Sequence, residues 1–465
     1  MGVSAVTENI LVEISPGETR MAFVDGRDKL REFMIESISQ PPLLEGVYRG
    51  RVIKIEKGMG AAFIDIGIGE NAFLSRATSL HEGGAIIVQI AREAASGKAP
   101  TIRREISISG SYFVYRPDGD DVRWPRSLKS GRRRDVLEAR ITSWLEDGEG
   151  WTIRTQAQYA DDAVLSAEIT ALRARWRDAT DKTSDVPSCL LPPPSLVERT
   201  LRDRVASESI ISVDDRGVYL DLTTRMKRQR PDIAANIQFH DEAEPIFESY
   251  GIADQIDELT DRTVDLPRGA RLTFDFTEAL TVVDVDLGSA GAKGRVDDAI
   301  LATNMSAAME IARQIRLRNL AGLIVVDFIT MRRREHKRKL VDAMKRELKD
   351  SSVPVDVLGM TAAGLIEITR RRDGPALHEL LTQRKAGSIQ PSREVLACDA
   401  LRQLLRTKGA SGFRLIAAPR LASLLRGEFE LAFKETTRRL GGALSLIEDN
   451  DEASFRIETE DRTGT

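Results

Sequence analysis

The chain has 465 residues, too many for a single hydrophobic core, and at ~100–200 residues per domain it predicts three or four units. Hydrophobic residues at 42% and charged residues at 30% exclude a disordered chain, and no apolar run reaches the ~18–20 residues of a membrane span. A net charge of −4 excludes a wholesale cationic nucleic-acid binder, and two cysteines, Cys189 and Cys398, exclude a disulfide framework or a four-cysteine zinc site.

The opening stretch MGVSAVTENILVEISPGETR has no basic segment followed by an apolar one, so no secretory signal is expected and a cytoplasmic location is. Residues 45–112 read as a compact β unit. EGVYRGRVIKIEKGMGAAFIDIGIGENAFLS alternates apolar and polar residues between glycines, and further strands are predicted at AIIVQIA and EISISGSYFVY. Short strands bent by glycines fit a small Greek-key barrel of the OB type. Phe63 and Phe73 lie on neighbouring strand segments and Lys98 follows in SGKAP. Two aromatics and a cation can stack bases and hold backbone, or both rings can belong to the barrel core. GIGENA is a turn between strands, since no long helix follows it.

A basic helical piece (SLKSGRRRDVLEARITSWLEDGEG) leads to the short strand WTIRT and a long helix, DDAVLSAEITALRARWRDAT. The proline-rich DKTSDVPSCLLPPPS marks a boundary. SLVERTLRDRVA then predicts a helix and SIISVDDRGVYLDLTTRM strands around a turn. From 259 onward, RLTFDFTEALTVVDVDLG is a strand region, and RVDDAILATNMSAAMEIARQIRLRN a helix. The apolar strand LIVVDFITM follows, then the charged helix RRREHKRKLVDAMKRELKD and a further strand–helix step at VDVLGMTAAGLIEITRRR. Alternating strands and helices predict an α/β layer with parallel neighbours. Residues 390–465 read as an appended α/β domain closing in a hairpin, ALSLIEDNDEASFRIE.

Positive charge is clustered at 132–134, at Arg225, Lys227, Arg228 and Arg230, at Arg332, Arg333, Arg334, Lys337, Arg338 and Lys339, and at 370–372. Each cluster can track phosphates or simply form a solvated face.

Alternation along TVVDVDL puts Leu280, Val282, Asp284 and Asp286 on one face of a strand. In LIVVDF, Asp327 again follows four apolar residues. A right-handed crossover makes these two strands parallel, with both sets of acids at the C-terminal edge where open α/β sheets bind ligands. An all-oxygen cluster suits Mg²⁺ held by carboxylates, waters and substrate phosphate, and the chemistry it permits is phosphodiester hydrolysis. The plainer alternative is that each Asp caps the helix after its strand. No HExxH, CxxC, GxxxxGK[ST] or GxSxG motif occurs. The histidines (His81, His240, His336, His378) are scattered, and His336 is expected at the surface of its basic helix.

At these residues the sequence resembles the ribonuclease E/G endoribonucleases. GMGAAFIDIGIGENAFL, TEALTVVDVDLG, TNMSAAMEIARQIRLRNLAGLIVVDFITM and GLIEITRRR carry the likeness, which runs from about residue 21 to the end. The resemblance implies an α/β and β multidomain chain. Residues 1–37 and 196–258 would form a ribonuclease-H-like element, 38–113 an OB-type RNA-binding barrel, and 114–195 a 5′-sensor region. Residues 259–385 would form a deoxyribonuclease-I-like catalytic domain and 386–465 a small C-terminal domain. It also implies Asp284 and Asp327 as magnesium-binding aspartates, with Phe63, Phe73 and Lys98 as RNA-channel residues. Arg154 and Thr155 would grip a 5′-monophosphate, a task suited to an arginine fork beside a hydroxyl.

Three departures stand out. Asp286 replaces the family's usual Asn, adding a carboxylate that can tighten metal binding or raise a neighbour's pKa. QAQYADDA follows TIRT where the family continues with a glycine-containing loop. The cysteine pair that shares zinc between two subunits is absent from LTQRKAGSIQPSREVLA, and Cys398 is expected in a helix core. The expected activity is therefore a Mg²⁺-dependent endoribonuclease cutting single-stranded RNA to 5′-phosphate and 3′-hydroxyl ends. Asp286 would assist, no structural zinc is expected, and any homodimer would not be zinc-bridged. The alternatives are a non-catalytic RNA-binding or ribosome-assembly factor on the same fold, and a DNA-cutting nuclease. No long disordered extension follows the last domain, so no scaffold for other RNA-degrading enzymes is expected.

Overall fold

The computed structural model describes residues 8–93, 99–128, 130–181, 185–287, 296–349, 351, 353–372, 374–385, 388–407, 410–450, 452 and 454–461. The chain divides into two compact units. One comprises Met1–Gln40, Ile210–Asp215 and Phe239–Thr465, the other Pro41–Ser209 and Arg216–Gln238. The architecture is mixed α/β and multidomain.

The first unit contains a six-stranded sheet in the order Thr263–Asp265, Arg271–Phe276, Leu280–Asp286, Gly322–Asp327, Ile366–Arg370, Val355–Met360. Leu280–Asp286 and Gly322–Asp327 are parallel, joined by the helix Val296–Leu317. All the other neighbours are antiparallel. The parallel layer expected from sequence is thus confined to this central pair: the helix Arg334–Leu348 also crosses the sheet, but the strand it leads to, Val355–Met360, is separated from Gly322–Asp327 by the antiparallel Ile366–Arg370. VDVLGMTAAGLIEITRRR is a hairpin, Val355–Met360 against Ile366–Arg370, and contains no helix. Gly364, at φ +96°, supplies the left-handed residue its turn requires.

One face of this sheet is apolar. Leu272, Phe274, Val283, Val285, Ile324, Val326, Ile366 and Ile368 pack against Ala307, Ile311 and Ile315 of the 22-residue helix and against Leu340, Met344 and Leu348 of the helix Arg334–Leu348. Burial of each large side chain contributes about 1.5–3 kcal/mol. That stripe fixes the register, since a one-residue slip would drive Asp284 and Asp327 into the core. His336 lies on the helix's inner stripe and is buried, not at the surface as expected.

A five-stranded sheet is ordered Leu30–Ser37, Glu18–Val24, Asn9–Ser15, Ile210–Val213, Ile237–Phe239. Near the C-terminus a three-stranded sheet has Ala410–Ala417 in the middle, parallel to Ala443–Glu448 and antiparallel to Phe455–Asp461. The last two strands therefore flank a third and do not pair as the hairpin predicted from their proximity. The middle strand offers both its edges, and two helices, Pro419–Arg426 and Glu430–Leu440, carry the chain across. Cys398 is buried in the apolar cluster of the helix Arg393–Arg406.

The second unit holds a closed five-stranded barrel: Val47–Glu56, Ala61–Asp65, Asn71–Ser75, Thr101–Arg103, Ala85–Arg92 and back to Val47–Glu56. Val52, Ala62, Ile64, Ala72, Leu74, Val88, Ile90 and Ile102 fill it. Gly50 permits the tight wall, because a Cβ there would stand 2.6 Å from Ile64 Cγ2 and 2.8 Å from the Asp65 carbonyl. The strands predicted in EISISGSYFVY are outside this barrel. Ile108–Ser109 and Phe113–Arg116 join Gly150–Ile153 and Val122–Arg123 in a separate four-stranded sheet. Leu165, Ile169 and Leu172 of the helix Asp162–Thr180 share a core with Phe113 and Trp151 of that sheet. The segment after the short strand Ile210–Val213 is a helix, Arg216–Gln229, where a strand was expected. Val218, Leu220 and Leu222 mimic strand alternation, but Leu222 and Met226 are the buried pair, at helical spacing.

Candidate active site

The sheet ladder pairs Asp284 directly with Asp327. Adjacent strands lie ~4.8 Å apart, so the two carboxylates leave the same face side by side. Below them on that face Val282 pairs with Val325. Both acids are exposed at the C-terminal ends of their strands. Partial burial and then the like charges of Asp327 and Asp286 push the Asp284 carboxyl above its ordinary value. Asp286 shares the face but is two residues on, ~6–7 Å further along the strand. Arg271 stands opposite Asp286 in the ladder and pairs with Asp265 at 2.7 Å. Among the described residues no three carboxylate, imidazole or thiol side chains gather into one metal-holding group. The donors on offer are thus two adjacent aspartates, a set that fits a hard cation completing its shell with water and substrate oxygens.

The loop after Asp327 is held from below. Asn304, fully buried in the helix Val296–Leu317, donates from Nδ2 to the Ile329 carbonyl at 2.8 Å and accepts from the Ile329 N–H at 3.2 Å. Phe328 and Met331 anchor the same loop in the core. Sequence reasoning missed Asn304. Its signal was an amide inside an otherwise apolar helical stripe, where a buried polar group must find a partner.

On the barrel, Phe63 and Phe73 are direct cross-strand partners, their ring centroids 5.9 Å apart at 67°. Both are partly exposed and alternate with buried Ala62, Ile64, Ala72 and Leu74, so the rings stand on the barrel's outer face and not in its core. Lys98 lies outside the described residues.

Arg154 ends the strand Gly150–Ile153 and Thr155 begins a short 3₁₀ turn. Arg154 Nη1 donates to Asp203 Oδ1 at 2.7 Å, and its buried Nε has no partner among the described residues. Asp203 is bound by Arg202 as well. Despite its burial, the carboxyl is held below its ordinary range by these two arginines. The Thr155 hydroxyl lies 2.9 Å from that of Ser127. Neither Asp203 nor Ser127 was visible as a site residue in the sequence, since only the fold brings them to Arg154 and Thr155.

The sequence profile of the ribonuclease E/G family matches residues 107–373. The chain belongs to the ribonuclease E/G family. The matched span contains the aspartate pair, Asn304 and Arg154. The chain is 28% identical over 457 residues to ribonuclease G of Escherichia coli K12, covering 91% of this chain and 93% of the relative. It is 26% identical over 453 residues to ribonuclease G of Haemophilus influenzae, covering 90% and 92%. Against ribonuclease E of Escherichia coli K12 it is 27% identical over 469 residues, covering 94% of this chain but 44% of that longer protein. Among the described residues, no helix of this ribonuclease E/G family member is long and apolar enough to cross a membrane.

Proposed function

We propose that this chain is a cytoplasmic, Mg²⁺-dependent endoribonuclease that hydrolyses single-stranded RNA. The observation that carries the reading is the side-by-side pairing of Asp284 and Asp327 at the ends of two parallel strands. Membership of a ribonuclease family, and relatives named as ribonucleases over nearly the whole chain, support RNA as the polymer.

Asp284 and Asp327 would hold the metal, which when bound offsets charge on the scissile phosphate and lowers the pKa of an attacking water. Attack of a water at phosphorus would break the bond to the 3′ oxygen and leave a 5′-phosphate and a 3′-hydroxyl. Asp286 assists by adding negative charge beside the pair. Asn304 keeps the Asp327 loop in one conformation, so the carboxylate does not need ordering when substrate arrives. Phe63 and Phe73, with Lys98, would stack and hold the strand on the barrel, which we read as OB-type. Arg154 and Thr155 would receive a terminal 5′-phosphate. We further read the six-stranded sheet with its two helices as the deoxyribonuclease-I-like domain, 259–385. In the same reading 1–37 with 196–258 is the ribonuclease-H-like element, 38–113 the barrel, 114–195 the 5′-sensor region and 386–465 the C-terminal domain. No zinc bridge is invoked for any homodimer.

The test is purified protein with an end-labelled single-stranded oligoribonucleotide, incubated with Mg²⁺ or with EDTA. Fragments that need the metal and carry 3′-hydroxyl ends are expected. A band shift without fragments would overturn the enzyme reading in favour of a binding protein.

A further inference from the structure

The site just described has an electrostatic problem. Two or three carboxylates at one sheet edge repel a polyanion, and a chain of net charge −4 offers no general attraction to bring RNA there. The compensating charge lies on the helix that follows Asp327. Between residues 332 and 349 there are nine arginines and lysines against three acids.

The placement of that charge follows from the topology. The helices Val296–Leu317 and Arg334–Leu348 each follow one of the carboxylate strands, so both begin at the C-terminal edge where Asp284 and Asp327 stand. The Arg333–Asp297 ion pair, at 3.3 Å, ties the two helix starts together. His336, Leu340, Ala343, Met344 and Leu348 turn inward, which leaves Arg334, Arg338, Lys345 and Lys349 along the outer face at helical spacing. Part of this charge is spent locally: Lys339 pairs with Glu335 and Arg338 with Asp342. Among the described residues, Arg332, Arg334 and Lys337 form no ion pair. Arg332 and Arg334 are exposed and Lys337 half-buried. The helix N-terminus adds its own partial positive charge at the same end.

We propose that Arg332, Arg334 and Lys337 form a phosphodiester-binding surface at the edge of the Asp284–Asp327 pair, gripping the RNA backbone beside the bond that is cut. The proposal rests on the nuclease reading for its place in catalysis, and on the charge arrangement alone for binding. Contact is to backbone phosphate and not to bases, so it carries no sequence preference.

The experiment compares R332S/R334S/K337S with a control, K434S/R438S, which removes two cations from the helix Glu430–Leu440. Both are made in a D327N background, and binding to a labelled single-stranded oligoribonucleotide is measured in EDTA across a KCl series. For single strands each lost phosphate contact removes about 0.7 from the slope of log K against log salt. The triple variant should therefore bind at least tenfold more weakly at low salt, with a slope shallower by about 2. The control should match its parent. With Asp327 restored and Mg²⁺ present, KM should rise while kcat at saturating RNA stays near wild type. A triple variant with unchanged Kd and slope, or a control that loses as much, overturns the proposal. Absence of metal-dependent fragments from the wild-type protein overturns the nuclease reading instead, and the salt slope still decides whether the surface binds phosphodiesters.

Discussion

Asp284 and Asp327 are register partners across a parallel ladder, each the first exposed residue after an apolar run in its strand. Two like charges are held together at a sheet edge although either could point to water alone. Such a pairing costs stability unless a cation is shared. Replacing either by Asn keeps the shape and removes one negative donor. Asp284→Asn and Asp327→Asn should each lower kcat by at least about 10³-fold, an effect on the scale of losing one strong electrostatic stabiliser, while RNA affinity in EDTA stays within a few-fold. Normal cleavage by both variants sinks the assignment.

The barrel aromatics give a second measurement. Phe63 and Phe73 sit half-exposed on the outer face of the barrel, so truncation removes little core. Base stacking on an aromatic is worth about 1–3 kcal/mol. Phe63→Ala or Phe73→Ala should therefore weaken single-strand binding about 5- to 150-fold, with Tm little changed. A variant that binds as the wild type does shows that the rings do not stack on RNA.

Much of this was legible in the sequence, for definite reasons. TVVDVDL and LIVVDF announce a strand with acids at one end because alternation is local, and one intervening helix forces the two strands parallel. The hairpin Val355–Met360/Ile366–Arg370 was not legible, since TAAGLIEITRRR carries apolar residues that suit a helix as well as a strand until the sheet edge claims them. The helix Arg216–Gln229 misled in the other direction, its Val218 and Leu220 mimicking a strand. What stayed hidden at the site was partnership. Asn304 with Ile329 and Asp203 with Arg154 are contacts that no periodicity encodes.

That last pair bears on recognition of the RNA end. Arg154 is held by Asp203 at 2.7 Å, so a terminal phosphate must share or displace a carboxylate that already satisfies one guanidinium N–H. If Arg154 reads the 5′ end, Arg154→Ala should erase any preference for 5′-monophosphorylated over 5′-triphosphorylated substrates. Competition kinetics on the two RNAs measure this ratio. Equal loss on both, or none on either, removes Arg154 from the sensor role.

The buried Asn304 amide predicts a linked effect on stability and rate. Asn304→Ala leaves the Ile329 N–H and carbonyl without their partner, at about 1–3 kcal/mol, or a fall of a few degrees in Tm. Because the same loop follows directly on Asp327, kcat should fall too, with KM for RNA little altered. A variant with wild-type Tm and kcat would show that the loop is held without the amide.

A final prediction concerns pH and lies away from the acids of the site. Asp214, at the end of Ile210–Val213, accepts the Ile14 N–H at 2.8 Å. Burial, followed by the like charges of Glu13 and Asp215, raises its carboxyl from 3.8 to about 7, against a partial offset from the Ile14 N–H and then from Arg20. Asp215 is itself paired with Arg439. Between about pH 4 and 7 the folded state keeps the Asp214 proton while the unfolded chain has lost it. The unfolded state thus binds fewer protons, and this group makes stability fall as pH rises through that window. Above pH 7 the charged form carries its whole desolvation cost, up to about 4 kcal/mol. Asp214→Asn keeps an acceptor for Ile14 and carries no charge at any pH. Relative to wild type the variant should gain little at pH 4 and most at pH 8, so the difference between their unfolding free energies should open with rising pH. Parallel curves from urea melts at the two pH values would show that Asp214 titrates normally in the folded chain.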